Sequence, residues 1–214
     1  MNVDLAYRFG RPPIGGAAAL ATRLRAYGVD RIPPEGGVVL ALNHFHWIDI
    51  PLFAWSNPRS TYFVAKVEAH RVPGLGQFIR LFGTISIRRG ESDRDAVRRM
   101  REVVRDGNVL GVFVEGTRQR SGVPGEVQPG ASLVAVRERV PVVCAAVHGT
   151  QTWNLGNLAP CSIAYGEPWS ADGLSRDEVS ARITRELRTL WEWLVELHAA
   201  GRPRHATPPA ARGG

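Results

Sequence analysis

The sequence predicts a single α/β domain: a mostly parallel or mixed central sheet covered by helices on both faces. Three observations carry this. Short stretches in which nearly every residue is apolar, at 38–42, 108–114 and 141–147, read as strands buried on both faces. Between and after them, Val97, Met100, Val103 and Val104, and then Val179, Ile183, Leu187, Leu190, Trp191, Leu194 and Leu197, recur at helical spacing. Strand and helix signals alternate for most of the chain. Its 214 residues, 44% hydrophobic and 22% charged, suit one well-buried core and exclude wholesale disorder.

Taken in order, residues 14–27 form a short helix candidate with Leu20, Leu24 and Tyr27 along one side, closed by Gly28. It suits a membrane surface and an ordinary docking helix equally well. The turn-rich R-I-P-P-E-G-G leads into the first strand, 38–42. Residues 49–55 begin a helix, with Pro51 tolerated in its first turn. Further strands are expected at 61–65, 84–87 and 161–165, and a turn and short helix over 72–82. Ser92 with Asp95, and Ser175 with Glu178, have capping-box spacing and open helices. A polar Gly/Pro-rich loop follows Arg118, and a helix spans 130–139. The division expected is an amphipathic N-terminal region (1–28), a catalytic domain (29–199) and a disordered Pro/Arg/Gly-rich tail (200–214).

The formal charge is +7, nearly all of it arginine, and Lys66 is the single lysine. Either a composition bias or attraction to an anionic partner accounts for this. Cys144 and Cys161 make neither a disulfide framework nor a metal site. The N-terminus lacks a signal-peptide layout, and no apolar run approaches the roughly 20 residues of a membrane span. The expected place is the cytosol or the inner face of a membrane, without crossing it.

Four strands deliver His44, Lys66, Arg89 and Glu115 just past their last apolar residues, which points to one shared cleft at one sheet edge. A histidine near neutral pKa suits the removal of a proton from an alcohol, and an aspartate bonded to its other nitrogen would fix the tautomer. His44 and Asp49 lie five apart, about 140° apart on a continuous helix. They therefore meet only if His44 lies on the turn before the helix. The alternative is a polar helix start, with Asp49 favoured by the helix dipole. No nucleophile-elbow serine or cysteine is present, so the base would act on a substrate hydroxyl directly. Lys66, Arg89 and Arg118 would supply fixed positive charge for a phosphate.

These blocks resemble, in order and spacing over about residues 30 to 150, the glycerolipid acyltransferases of the lysophosphatidic acid acyltransferase type. Asn43-His44 to Asp49 looks like the N-H-x-x-x-x-D motif, and Lys66-Val67-Glu68 like the lysine-glutamate element. The stretch from Gly83 to Arg89 is similar to the G-x-x-x-x-x-R block. Glu115-Gly116-Thr117-Arg118 matches E-G-T-R, and Val140-Pro141-Val142-Val143 resembles the V-P-[IV]-[IV] strand. The resemblance implies a glycerol-3-phosphate acyltransferase-like fold. It also implies transfer of a fatty acyl group from acyl-CoA or acyl carrier protein to the hydroxyl of a lysophospholipid, foremost 1-acylglycerol-3-phosphate. By it His44 is the base and Asp49 its orienter, while Lys66, Arg89, Glu115, Gly116, Thr117 and Arg118 bind the acceptor. No cofactor or metal is required, and the partners expected are the lipid, the thioester and an anionic membrane surface, not nucleic acid. His46, where the family often has serine, and Val114, where it often has proline, depart from the pattern and bear on head-group choice. Two competing readings remain: a metallohydrolase using His44, His46 and Asp49 as H-x-H-x-x-D ligands, and a non-catalytic basic membrane-binding module.

Overall fold

The computed structural model describes residues 3–71, 73, 75–87 and 93–210. Its centre is a seven-stranded sheet of β1 (Arg25–Tyr27), β2 (Val38–Leu42), β3 (Thr61–Lys66), β4 (Ile85–Ile87), β5 (Val109–Phe113), β6 (Val142–His148) and β7 (Ser162–Tyr165). The spatial order is β1-β7-β6-β2-β5-β3-β4. All neighbours are parallel except β6 and β7, so the sheet is mixed, as the strand spacing predicts.

β2 is apolar throughout because both of its faces are covered, and all five residues are fully buried. Val39 and Ala41 join Val142, Cys144, Leu110 and Val112 in a core under α5 (Arg94–Arg105), α6 (Gly130–Glu138) and α7 (Arg176–Ala199). Val38, Leu40 and Leu42 face the other way, into a core with Ile48, Leu52 and Phe53 of the segment around α2 (Asp49–Ser56). α1 (Val3–Ala21) packs on α2. α3 (Val67–Arg71) and α4 (Leu75–Leu81) pack on each other beyond β3. After β2 the chain steps out to β3 and β4, returns to β5, then crosses to β6 on the other side. The strand order thus reverses at β2, and in open α/β sheets ligands bind at such a point, outside the carboxyl ends of the strands.

The capping box of Ser175 and Glu178 opens α7 as expected. Asp93 caps α5 by accepting from the Ala96 N–H at 2.9 Å; the expected Ser92 cap lies outside the described residues.

The N-terminal expectation is corrected. The helix runs Val3–Ala21 with Pro12 and Pro13 inside it, not 14–27. Both prolines are exposed, so the carbonyls they leave unbonded can be met by water. Tyr27 belongs not to this helix but to β1, a three-residue edge strand parallel to β7. The expected tail is also corrected through residue 210. Arg202, 8% exposed with φ 58°, donates to Ser162 Oγ and to the carbonyls of Arg23 and Cys161. Tyr27 Oη donates to Pro203 O at 3.1 Å, and Arg31 to Pro208 O at 2.8 Å, so residues 202–209 bind across the β1 edge.

Candidate active site

The site begins where β2 stops. Asn43 is fully buried, and its amide both accepts from Val147 N–H (2.8 Å) and donates to Val147 O (3.1 Å). A side chain thereby continues the β2·β6 ladder beyond Leu42, whose strand partner is Ala145. The main chain is freed to turn, and His44 leaves the sheet at a fixed point.

Asp49, the first residue of α2, is fully buried. Its Oδ2 accepts from Phe45 N–H (2.7 Å), His46 N–H (2.8 Å) and His44 Nδ1 (2.9 Å). Two backbone donors fix the carboxylate, and the carboxylate then fixes the ring. Because an ionised carboxylate only accepts, Nδ1 carries the proton and Nε2 the lone pair. Nε2 makes no hydrogen bond among the described residues, and the His44 side chain keeps 14% exposure. His44 lies on the turn before α2, the one arrangement in which the five-residue spacing works.

The ring is held from behind as well. His44 packs on Phe113, centroids 4.2 Å apart, and Phe113 stacks on Phe63 at 5.9 Å. Phe63 can lie there because residue 111 is glycine. A Cβ at Gly111 would stand 2.8 Å from Phe63 Cδ1 and from Thr61 Cγ2.

The E-G-T-R block divides into two parts. Glu115 is 5% exposed; its Oε2 accepts from His44 N–H (2.8 Å) and its Oε1 from Gly125 N–H (2.9 Å). Burial pushes its carboxyl up to about 7, against the pull of those two bonds. Gly116, at φ 70°, turns the chain back, and Gln119 N–H donates to His44 O at 2.8 Å. Thr117 and Arg118 are exposed, and Lys66 is exposed at the last position of β3. The ends of β2, β3 and β5 therefore meet at one sheet edge, as their polar endings predict. Arg89 lies outside the described residues.

His46 sits between Trp47 (5.5 Å) and Trp153 (5.6 Å). Burial lowers its pKa, partly offset by Asp49 and reinforced by Arg118 and His44. Its Nδ1 accepts from Ile48 N–H at 3.4 Å, so His46 and Asp49 are committed to shaping the turn. Among the described residues no three His, Cys, Asp or Glu side chains are grouped to hold a metal, which counts against the H-x-H-x-x-D reading. Asn43, Phe113, Gly111 and Trp153 support the site yet were not legible as site residues, since their roles are long-range contacts. The N-H start of the motif was the only available signal, and it covers Asn43 alone.

This buried His–Asp pair at the switch point of a mixed α/β sheet lies in a chain that matches a known family. The sequence profile described as Acyltransferase matches residues 23–148, and the chain belongs to that family. It is 24% identical over 164 residues to the 1-acyl-sn-glycerol-3-phosphate acyltransferase of Bacillus subtilis, covering 76% of this chain and 81% of that one. It is 34% identical over 101 residues to the lyso-ornithine lipid O-acyltransferase of Pseudomonas aeruginosa, covering 47% and 37%. The chain spans about half or less of the plant relatives it matches. The fold is that of the 1-acyl-sn-glycerophosphate acyltransferase of Thermotoga maritima, with TM-score 0.74, 24% identity, and 92% and 83% of the two chains covered.

Proposed function

We propose that this O-acyltransferase moves a fatty acyl group from acyl-CoA or acyl carrier protein to the free hydroxyl of a lysophospholipid, foremost 1-acylglycerol-3-phosphate. The observation that carries the reading is the His44–Asp49 pair with Nε2 left open. Nε2 takes the acceptor's hydroxyl proton as the oxygen attacks the thioester carbon. Asp49 stabilises the imidazolium that forms. Collapse of the tetrahedral intermediate breaks the C–S bond, and the departing thiolate recovers the proton from Nε2. Lys66, Arg118 and Arg89 hold the acceptor phosphate, with Gly116 and Thr117 shaping the turn that presents Arg118. The thioester is a co-substrate, and the reaction needs no cofactor.

No helix among the described residues is long and apolar enough to cross a membrane. In α1, Leu5, Phe9, Pro13 and Leu20 recur along the exposed side, with Phe9 68% and Leu20 81% exposed. Its other side is occupied: Tyr7 packs on Phe82 and bonds Thr61 O. The exposed stripe, with Arg8 over the Phe9 ring at 6.0 Å, suits peripheral binding to an anionic leaflet on the cytoplasmic side.

The test is product identity. With palmitoyl-CoA and 1-acylglycerol-3-phosphate, mass spectrometry should find phosphatidic acid carrying the added chain. Turnover absent with this acceptor, with lyso-ornithine lipid and with lysophosphatidylcholine, under both thioester donors, would overturn the reading.

A further inference from the structure

Glu115 stands in the same block as the exposed Thr117 and Arg118, yet neither of its oxygens is available to a ligand. Both are spent on backbone N–H groups, one from His44 and one from Gly125, and the residue is 5% exposed. These donors lie 71 and 10 residues from it in sequence. One is the catalytic histidine's own amide. The other belongs to the loop between β5 and α6. A second bond closes the same ring, from Gln119 N–H to His44 O. The His44 peptide is thus gripped on both sides by the segment that begins at Glu115. Gln128 N–H donates to Val114 O at 2.7 Å and ties off the far end of that loop.

We infer that Glu115 is a positioning residue: its carboxylate clamps the His44 turn to the 116–128 loop and does not touch the acceptor. The role assigned to His44 rests on the acyltransferase reading; the clamp itself does not. Two backbone N–H groups call for an acceptor at each oxygen, which the carboxylate form, favoured above about pH 7, supplies without adding a donor, so glutamine is a poor replacement. Glu115→Gln keeps one acceptor and sets an amide N–H2 against the second backbone N–H. The loop loses its anchor and His44 loses its fixed height above the sheet.

In the full-length protein, Glu115→Gln should lower kcat by about 100-fold, the scale of a catalytic group misplaced by about 1 Å, while acceptor KM stays within about 2-fold. Trypsin, which cuts after Arg118 and Arg120 in this loop, should cleave the folded variant about 10-fold faster than wild type, as expected when local opening becomes easier. A raised acceptor KM with kcat preserved would overturn the inference and make Glu115 a ligand for substrate. Unchanged cleavage would overturn it too. Should the variant fail to fold, amide exchange in wild type decides. Protection of both His44 and Gly125 N–H without substrate supports the clamp, and rapid exchange at either refutes it. Cleavage and exchange read the clamp even if the wild type proves inactive on every lipid tried, a result that would count only against the proposed reaction.

Discussion

Replacing Asp49 by asparagine separates the orientation of His44 from its charge stabilisation. An asparagine oxygen in place of Oδ2 still accepts from Phe45 and His46 N–H, so the turn keeps its shape. What disappears is a fully buried negative charge 2.9 Å from Nδ1. Opposite charges about 4 Å apart at an effective dielectric near 20 attract by about 4 kcal/mol. That attraction exists only once His44 is protonated, in the transition state, so its loss appears in the barrier. At about 1.4 kcal/mol per tenfold, kcat should fall about 1000-fold. Acceptor KM should stay within about 2-fold, because Asp49 is buried and the reading gives it no contact with lipid. The assay is release of free thiol from palmitoyl-CoA with varied 1-acylglycerol-3-phosphate, beside urea unfolding to show that the variant is folded. A folded Asp49→Asn protein with kcat within about 3-fold of wild type would refute the reasoning, since no charge stabilisation of His44 would then exist.

Three further outcomes follow from the same contacts. Gly111→Ala should cost about 1–3 kcal/mol in urea unfolding by overpacking against Phe63, and should lower kcat by disturbing the Phe63–Phe113 support of His44; an unchanged midpoint and rate would refute this packing account. Arg202→Ala should destabilise by about 1.5–3 kcal/mol, because the buried Ser162 hydroxyl and Cys161 carbonyl, and the carbonyl of Arg23, lose a charged donor; a midpoint equal to wild type would refute the role given to residues 202–209. Burial also holds His148 and His198 down at about 4, so the unfolded chain binds two more protons than the folded one between about pH 4 and 6.5. Glu115, raised to about 7, acts in the opposite sense between about pH 4.5 and 7, but it is one group against two. Stability should therefore fall as pH drops from 6.5 to 4.5, and His148→Gln should flatten that fall, as urea midpoints across the range would show.

The sheet was legible where the sequence carries its own burial. β2, β5 and β6 lie inside the sheet with both faces covered, so their apolar runs announce them. β1 was not, because Arg25-Ala26-Tyr27 has no local period and exists through its pairing with Ser162–Ala164. α1 begins at Val3 and not at residue 14, since Pro12 and Pro13 lie on an exposed helix face that leaves their orphaned carbonyls to solvent. The tail's composition reads as disorder, yet Arg202 and the proline carbonyls find partners far away in sequence. At the site, the His44–Asp49 spacing and the polar strand ends gave both the pair and the edge. The sequence could not show that both Glu115 oxygens accept from backbone N–H groups or that Asn43 completes the β2·β6 ladder. Each depends on a backbone group from a distant segment.

The claim that His44 is the base is tested most directly by a single comparison: acceptor-dependent thiol release by wild type and His44→Gln, both shown folded, with metals chelated. Glutamine preserves a donor toward Asp49 but cannot take a proton. Turnover is expected in the wild type, unaffected by chelation, with a loss of at least about 1000-fold in the variant. A His44→Gln protein that transfers acyl groups within about 10-fold of the wild-type rate would contradict the claim, for the proton would then be leaving by another route.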